Sequence, residues 1–442
     1  MPLVPSSRRQ IGLPGATALV VSSMIGTGVF TTSGFALELL GRPGAVLVVW
    51  AIGGLIATCG AIGYGALARR FPESGGEYAL LSRTVHPLAG FLAGWVSLLA
   101  GFTAPIAASA LALQAYLAGI VQGWAAEWLA TAAILAAALL HGVRVRVGVA
   151  FQVAAVGIEL ALIAAFLVLG AWALPAPHPI ALSSPGVPAP GAFAVALVWV
   201  SFAYSGWNAA IYVASDVKQP GRFLPLSLIL GTLLVILLYA PLNAVFLFAA
   251  PISELKGQLD VGFIAANHIF GGTGGLIMGL LISTGLISAI SSMVWAGPRV
   301  TQVMGEDVRL LRALSVKNAN GVPHVSLAFQ YVLVVGLIIT STFDSIVNYI
   351  GFILSLSAFM TVAGVFVLRR AEPQLPRPYR VWGYPVTPLI FLAVTGWMMF
   401  FVVKQRPMVL AAGAATLAAG LVVYFVNQAL APSAAPGYDA SN

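Results

Sequence analysis

Charged side chains and cysteines are both scarce in this chain. Charged residues make up 8% of its 442 residues, 60% are hydrophobic, and the mean hydropathy is +0.98. Soluble domains carry about 25% charged residues, so this composition excludes a soluble fold of this size. Cys59 is the one cysteine, which excludes a disulfide framework within the chain. The composition therefore predicts a protein embedded in a lipid bilayer.

The sequence also lacks the patterns of catalytic and metal chemistry. It has no nucleophile elbow, no phosphate-binding loop and no Cys/His cluster with metal-ligand spacing. Its five His lie in predicted loops or near the ends of predicted spans. We therefore predict that the protein is not an enzyme, and that it needs neither a cofactor nor a metal.

Long apolar runs are the main feature of the sequence. Runs of about 20 residues are long enough to cross a bilayer as helices. They predict an all-α membrane protein with twelve spans, near residues 14–39, 43–68, 85–119, 126–142, 149–174, 191–215, 223–249, 273–297, 324–343, 346–368, 385–403 and 407–429.

The formal net charge of +8 follows from the orientation of these spans. With the N-terminus inside, 17 of the 21 Lys and Arg fall on the cytoplasmic side, and the exceptions are Arg42, Lys256, Lys404 and Arg406. The positive-inside rule therefore predicts a multi-pass protein of the plasma (cell inner) membrane with both termini in the cytoplasm. Because the charge is explained in this way, no nucleic acid partner is expected.

Two of the apolar runs are interrupted near their middles by small residues. The first break, residues 23–30, contains Gly26 and Gly28, and the second break, residues 202–208, contains Gly206. Inside a bilayer such a break persists only where protein, water or ligand satisfies the freed backbone groups. Interrupted helices at matching positions of two halves indicate the substrate site of a secondary transporter. These breaks lie five spans apart, which is the spacing of an inverted repeat.

The chemistry of the two breaks favours a zwitterionic α-amino acid. A half-helix that restarts after the first break presents free N–H groups and a positive dipole end, which bind a carboxylate. Carbonyl groups before that break, and around Phe202, Ala203 and Ser205 in the second, suit an ammonium group. Gly-x-Gly motifs also mediate close packing of membrane helices, and that alternative stays open.

Glu159 is an acid placed deep inside a predicted span, in the fifth of the twelve. An ionised side chain at mid-bilayer costs about 2.5–3.5 kcal/mol on insertion scales. The hydroxyls of Ser288, Ser291 and Ser292 in the eighth span are candidate partners. Three interpretations stay open: a proton-coupling group, a ligand for a cation or a substrate ammonium, and a protonated structural acid bonded to backbone.

Four motifs resemble those of one family. They are residues 25–30 (IGTGVF), 72–78 (PESGGEY), 202–208 (FAYSGWN) followed by 216–220 (DVKQP), and 297–299 (GPR) with 304–307 (MGED). Together they resemble the amino acid–polyamine–organocation (APC) superfamily, and within it the L-amino-acid transporter branch.

The resemblance implies the LeuT-type fold, in which two inverted repeats of five helices each begin with a broken helix, so that helices 1 and 6 are broken. The corresponding segments are a cytoplasmic N-terminus (1–13), a first repeat (14–174), an extracellular loop (175–190), a second repeat (191–368), helices 11 and 12 (385–429) and a cytoplasmic tail (430–442).

The resemblance also implies a substrate site. The substrate carboxylate goes to the amides near Gly26, Thr27 and Gly28, and the amine to the carbonyls of Met24, Phe202 and Ser205. The Phe202 ring is the extracellular gate. Asn208 stands where relatives with cationic substrates often carry an acid, which favours neutral substrates. The full set of expected substrate-binding residues is Met24, Ile25, Gly26, Thr27, Gly28, Phe202, Ala203, Ser205, Gly206 and Asn208.

The expected function is therefore secondary active transport of neutral L-amino acids by alternating access, with a proton coupled through Glu159. Sodium-independent relatives often carry a Lys at this place, so the chain departs from them with the opposite charge. A carrier or exchanger of cationic amino acids or polyamines that uses Glu159 as an ammonium partner is one alternative, and a channel is another. Because residues 121–127 contain no cysteine, no disulfide-linked heavy subunit is expected.

Overall fold

The computed structural model describes residues 11–118, 125–143, 145–173, 188–319, 321–373 and 381–430, and most of these residues are helical. The prediction of an all-α membrane protein is confirmed. The α-helices are α1 Leu13–Met24, α2 Thr27–Leu40, α3 Pro43–Arg70, α4 Gly76–Thr84, α5 Pro87–Val96, α6 Ala104–Ala118, α7 Ala125–Val143, α8 Val145–Ala173, α9 Pro190–Ala203, α10 Pro220–Ala249, α11 Ile252–Leu255, α12 Val261–Asp307, α13 His324–Thr340, α14 Phe343–Ala371, α15 Val386–Gln405 and α16 Pro407–Ala429.

Seven helical segments within the described ranges are long and apolar enough to cross a membrane. An eighth span is obtained if α1 and α2, which are bent by 41° at a short break, are counted as one. Four shorter apolar helical segments coincide with predicted spans 4, 5, 6 and 9: Trp128–Leu139, Gly157–Ala173, Pro190–Ala203 and His324–Thr340. The count of twelve spans stays a prediction.

Several predicted segments lie partly or wholly outside the described residues. These are the N-terminus up to residue 10, most of the 175–190 loop, the tail from residue 431, and residues 121–124 of the cysteine-free 121–127 segment. Predictions about the termini, that loop and a heavy subunit therefore stay expectations.

The first break is a two-residue interruption between α1 and α2. Helix α1 ends at Met24, and the Ile25 N–H still bonds to the Val21 carbonyl, 3.0 Å away. Gly26 is fully extended, and α2 then begins at Thr27 without a side-chain cap. The chain therefore restarts a helix inside the protein with first-turn N–H groups that no intrahelical carbonyl satisfies.

The second break is longer and holds a glycine in a left-handed conformation. Helix α9 ends at Ala203, residues 204–208 form turns, and a 3₁₀ helix follows over Ala209–Asp216. Gly206 has φ +97, a conformation that side-chain-bearing residues rarely adopt. A Cβ at this position would lie 2.3 Å from the Ser23 carbonyl oxygen. The second break is therefore seated directly on the backbone of the first.

A reciprocal contact brings the two breaks together from the other side. A Cβ at Gly28 would lie 2.3 Å from the Ala203 Cα atom, so α2 approaches α9 backbone to backbone. Each interrupted helix thus carries one glycine that admits the main chain of the other. The contact places the two sets of freed backbone groups beside each other.

The remaining spans pack around this crossing, and corresponding spans of the two predicted repeats make corresponding contacts. Helix α10 packs along α3 and α1, while α9 packs along α3 and α2. Helix α12 contacts α8 and α7, as α6 contacts α14 and α13. In the predicted numbering, span 8 meets spans 5 and 4 as span 3 meets spans 10 and 9. The organisation of the chain in two repeats stays a prediction.

Candidate functional site

A cavity of about 390 Å³ lies at the crossing of the two breaks. Its size falls in the range of about 300–1,000 Å³ typical of small-molecule sites. Its wall includes Ser23, Met24, Gly26, Thr27 and Gly28 from the first break and all of residues 202–208 from the second. The backbone groups freed by both interruptions thus open onto one space.

Most of the residues expected from the sequence lie in the wall of this cavity. They are Met24, Gly26, Thr27, Gly28, Phe202, Ala203, Ser205, Gly206 and Asn208. Ile25 differs, because it is absent from the wall and its side chain packs in the hydrophobic core. Ile25 lies between two wall residues in the sequence, but the sequence alone does not give the direction of its side chain.

The first turn of α2 supplies the positive end of the cavity wall. The Thr27 hydroxyl is 2.5 Å from the Ser109 hydroxyl of α6, so this side chain is held by a neighbouring helix. The helix start has no side-chain cap. The amides and the dipole of α2 are therefore left to bind an anionic group.

Carbonyl groups at both breaks accept hydrogen bonds from the protein. The buried Tyr239 of α10 donates its hydroxyl hydrogen to the Met24 carbonyl at 2.6 Å. The Ser205 N–H donates to the Phe202 carbonyl at 2.9 Å. A carbonyl oxygen has two lone pairs, so the Met24 oxygen has room for a second donor, whereas the Phe202 oxygen also receives the Tyr204 N–H. An ammonium group is a donor of the kind that the Met24 oxygen fits.

An irregular helical segment shapes another part of the wall. Residues Ser97–Thr103, between α5 and α6, form a π-helix, and the Thr103 hydroxyl bonds to the Leu98 carbonyl five residues earlier at 2.8 Å. Single π-helical turns inside α-helices are frequent at functional sites. Here the segment contributes Ser97, Gly101 and Phe102 to the cavity wall.

Glu159 lies outside this wall, in the contact between α8 and α12. The residue is 7% exposed, and its Oε1 atom is buried without a hydrogen-bond partner among the described residues. A Cβ at Gly285 of α12 would lie 2.7 Å from Oε1. The glycine therefore makes the room that the carboxyl occupies.

Helix α12 connects Glu159 to the first break. Four residues after Gly285, on the same helix face, the Ala289 methyl lies 3.9 Å from the place of a Cβ at Gly26. Tyr239, which contacts the Met24 carbonyl and the Gly26 backbone, is within electrostatic range of Glu159. Glu159 is therefore linked to the first break in two ways, along α12 and through Tyr239.

The expected serine partners of Glu159 lie on the same helix as Gly285. Ser288 and Ser291 are each 2% exposed, and both make contacts within the protein. The side chain of Ser292 lies outside the described ones. The role of these hydroxyls toward Glu159 stays a prediction.

Glu77 is a wall residue that the sequence did not single out by itself. It is 5% exposed and lines the cavity. Its Oε1 accepts hydrogen bonds from the Asn208 amide and, at 3.1 Å, from the Tyr64 hydroxyl, while Oε2 accepts from the Tyr212 hydroxyl at 2.6 Å. The loop between the predicted second and third spans therefore contributes a buried carboxylate to the site.

Two glycines before Glu77 are the signal that could have revealed it. Gly75 and Gly76 have φ of +130 and +59, and a Cβ at Gly76 would lie 2.1 Å from the Tyr212 ring. The chain therefore turns inward at a place where only glycine fits, and α4 begins there. Adjacent glycines directly before an acid in a loop indicate such a close approach.

Hydrogen bonds join several segments on the face that carries this loop. The Ile11 N–H donates to the Asp216 carbonyl at 3.0 Å, and the Lys218 N–H donates to the Ile11 carbonyl at 2.8 Å. The hydroxyls of Ser74 and Ser215 each accept the other residue's backbone N–H at 3.0 Å. These contacts join the start of α1 and the loop to the end of the second broken helix.

Tyr78 adds a further hydrogen bond, to the end of α12. Its hydroxyl donates to Asp307 Oδ2 at 2.9 Å. Burial and the Asp307 carboxylate raise the pKa of Tyr78 to about 12. The phenol therefore keeps its proton, and this hydrogen bond, throughout the physiological pH range.

An all-helical membrane protein with a cavity at two interrupted helices is typical of secondary transporters. A family model described as amino acid permease matches residues 11–426. The chain belongs to the amino acid permease family, and the resemblance to the L-amino-acid branch of the APC superfamily is confirmed. It is a multi-pass membrane transporter and not an enzyme.

Three proteins similar to this chain are amino acid transporters by name. The large neutral amino acids transporter small subunit 2 of Mus musculus is 28% identical over 444 residues, covering 95% of this chain and 81% of that protein. The Asc-type amino acid transporter 1 of Mus musculus is 25% identical, with coverage of 95% and 81%. The b(0,+)-type amino acid transporter 1 of Homo sapiens is 25% identical, with coverage of 92% and 85%. These relatives support amino acid transport by this chain.

Substitutions of the two glycines in the first break should show whether the tight contact at Gly28 is needed for amino acid binding. Gly28→Ala places a methyl against the Ala203 backbone, whereas Gly26→Ala meets its nearest neighbour at 3.9 Å. Because overpacking costs about 1–3 kcal/mol, we expect Gly28→Ala to weaken amino acid binding by about tenfold or more. Gly26→Ala is the matched control and should change affinity far less. Calorimetric titration of purified protein measures both, and equal affinities in the two variants would contradict the contact between the breaks.

Proposed function

We propose that this chain is a secondary active transporter of neutral L-amino acids that works by alternating access. The observation that carries the proposal is the shared cavity at the two breaks. The uncapped start of α2 supplies amides for a carboxylate, and the Met24 carbonyl supplies an acceptor for an ammonium group beside the second break. A zwitterionic amino acid matches both sets.

Large apolar side chains suit the rest of the cavity. Away from the breaks its wall is mostly hydrophobic, with Phe102, Met293, Ile350, Leu354, Phe391 and Met398. Burial of apolar substrate surface against such a wall contributes about 25 cal/mol per Å². The name of the mouse relative, a large neutral amino acids transporter, agrees with this choice. Glu159 is absent from the wall, which disfavours the alternative in which it binds a substrate ammonium directly.

The proposed setting is the plasma membrane, with both termini in the cytoplasm, as the distribution of Lys and Arg predicts. The face joined by Ile11, Ser74 and Tyr78 is then the cytoplasmic face. Phe202 stands at the cavity as the extracellular gate, and the two repeats alternate access around it. No disulfide-linked heavy subunit is expected in this setting.

Proton coupling through Glu159 completes the proposal. The carboxyl is sealed between α8 and α12, and its Oε1 lacks a partner among the described residues. A buried acid without a partner is stable in the neutral form and charges when water or a donor reaches it. Because Gly285 and Ala289 lie on one face of α12, a shift of that helix changes the surroundings of Glu159 and of Gly26 together. Protonation is thereby linked to the state of the break.

Uptake of radiolabelled leucine into proteoliposomes tests the transport function. We expect saturable uptake that accelerates when unlabelled leucine is preloaded on the opposite side, because a carrier exchanges substrate through one alternating site. A channel gives uptake that neither saturates in this way nor responds to counter-substrate. Absence of any saturable amino acid uptake would reject the proposed function.

Replacement of the gate residue should affect turnover more than binding. Phe202→Ala removes the ring that occludes the cavity but leaves the backbone acceptors in place. We therefore expect a lower rate of leucine uptake, while the affinity measured by calorimetric titration changes much less. Phe102→Ala, which removes an aromatic ring from another part of the wall, serves as the comparison. Wild-type turnover of Phe202→Ala would disprove the gating role.

The Glu159→Gln variant should uncouple transport from the proton gradient. Glutamine keeps the shape of the side chain but cannot ionise. We expect the variant to bind leucine, to lose accumulation driven by an inward proton gradient, and to show a flatter pH dependence of uptake. Glu38→Gln, which changes an exposed acid of α2, is the control.

Uptake across a pH series, with sodium replaced by choline, distinguishes the three interpretations of Glu159. An unchanged pH profile with intact accumulation would leave Glu159 as a structural acid. Loss of a dependence on sodium, with proton effects preserved, would make it a cation ligand. Either result contradicts proton coupling.

A further inference from the structure

Glu77 carries the single formal charge among the described residues of the cavity wall. The other wall residues are apolar, aromatic, small or neutral polar side chains. None of the ion pairs found among the described residues includes Glu77. Among the described residues, the cavity wall therefore carries one negative formal charge that no ion pair neutralises.

The hydrogen bonds of Glu77 are those of a carboxylate that only accepts. Three donors from three different segments converge on it: Tyr64 of α3, Asn208 at the second break and Tyr212 of the 3₁₀ helix. An ionised carboxylate has about four acceptor positions, so the protein occupies three of them. These neutral donors hold the carboxylate in place, but they do not cancel its charge.

We propose that Glu77 is a specificity-determining residue that discriminates against amino acids with acidic side chains. This inference rests on the proposed amino acid transport and names the charge rule of the same site. A space of this volume would be about 9 Å across if it were spherical. A charged substrate side chain in it therefore lies within about 10 Å of the Glu77 carboxylate in its wall. At that separation, and an effective dielectric constant of about 20, two negative charges repel strongly enough to weaken binding about tenfold or more.

The position of Glu77 beside Asn208 directs this repulsion at the substrate. Asn208 belongs to the second break, whose residues surround the cavity, and its amide group bonds directly to the Glu77 carboxylate. Every amino acid brings the same carboxylate and ammonium to the breaks, so these groups do not distinguish one substrate from another. A charge on the substrate side chain does distinguish one substrate from another, and Glu77 is the wall residue that interacts with that charge electrostatically.

Glutamine and glutamate are the probes, because their side chains have nearly the same shape and differ in charge. In wild-type proteoliposomes we expect glutamine to compete with labelled leucine at least about tenfold better than glutamate does. Equal competition would overturn the inference while leaving the proposed function intact. If no amino acid shows saturable uptake, the proposed function fails, and the inference falls with it.

Substitution then assigns the discrimination to Glu77. In Glu77→Gln we expect the ratio of glutamate to glutamine affinity to rise about tenfold, because the repelling charge is gone. Glu77→Asp keeps the charge and should keep the wild-type ratio, even where its shorter side chain lowers the rate. Glu73→Gln is the matched control: it lies four residues earlier in the chain, its side chain is 44% exposed, and it pairs with Arg83 at 3.1 Å.

A ratio measured within one protein is independent of the amount of folded transporter. A Glu77→Gln variant that transports glutamine and glutamate more slowly in equal proportion would show that Glu77 only holds the loop, and it would overturn the inference. A Glu73→Gln variant with the same change in ratio as Glu77→Gln would do so too. If Glu77→Gln does not fold, the wild-type comparison of the two probes still decides against the inference when they compete equally.

Discussion

The rest of the structure depends on one contact, the crossing of two interrupted helices with a glycine on each side. Gly206 admits the Ser23 carbonyl, and Gly28 admits the Ala203 backbone. Because the main chains touch, the freed N–H groups of α2 and the carbonyls of both breaks face the same space. Side chains larger than hydrogen at either glycine would separate the breaks and divide the cavity. Packing and binding chemistry are therefore set by the same atoms.

Among the described residues two carboxylates are buried, and their different environments suit them to different tasks. Glu159 is sealed between α8 and α12 against Gly285, away from the cavity. Glu77 faces the cavity and is held by three neutral donors. Glu159 can therefore respond to movement of α12, and Glu77 can respond to the charge of a substrate in the cavity.

The sequence was sufficient for what depends on local pattern. Long apolar runs predicted an all-helical membrane protein, and the glycines of 23–30 and 202–208 pointed to wall residues such as Gly28 and Asn208. It was insufficient where a side chain's direction depends on tertiary packing. Ile25, between two wall residues, turns into the core, and Glu77, in a polar loop, is carried inward by Gly75 and Gly76. Periodicity cannot report either position, because Ile25 lies in the break after α1 and Glu77 lies in the first turn of the short helix α4.

The contacts of Ile11, Ser74 and Ser215 have a consequence for the chemistry of closure. Each is a hydrogen bond made by a backbone amide to a carbonyl or a hydroxyl, so no ionised group takes part. Mobile ions screen pairs of exposed charges over a Debye length of about 8 Å at physiological ionic strength, but they leave such neutral bonds almost unaffected. The seam between the start of α1 and the second broken helix therefore keeps its strength when the ionic strength of the surrounding solution changes.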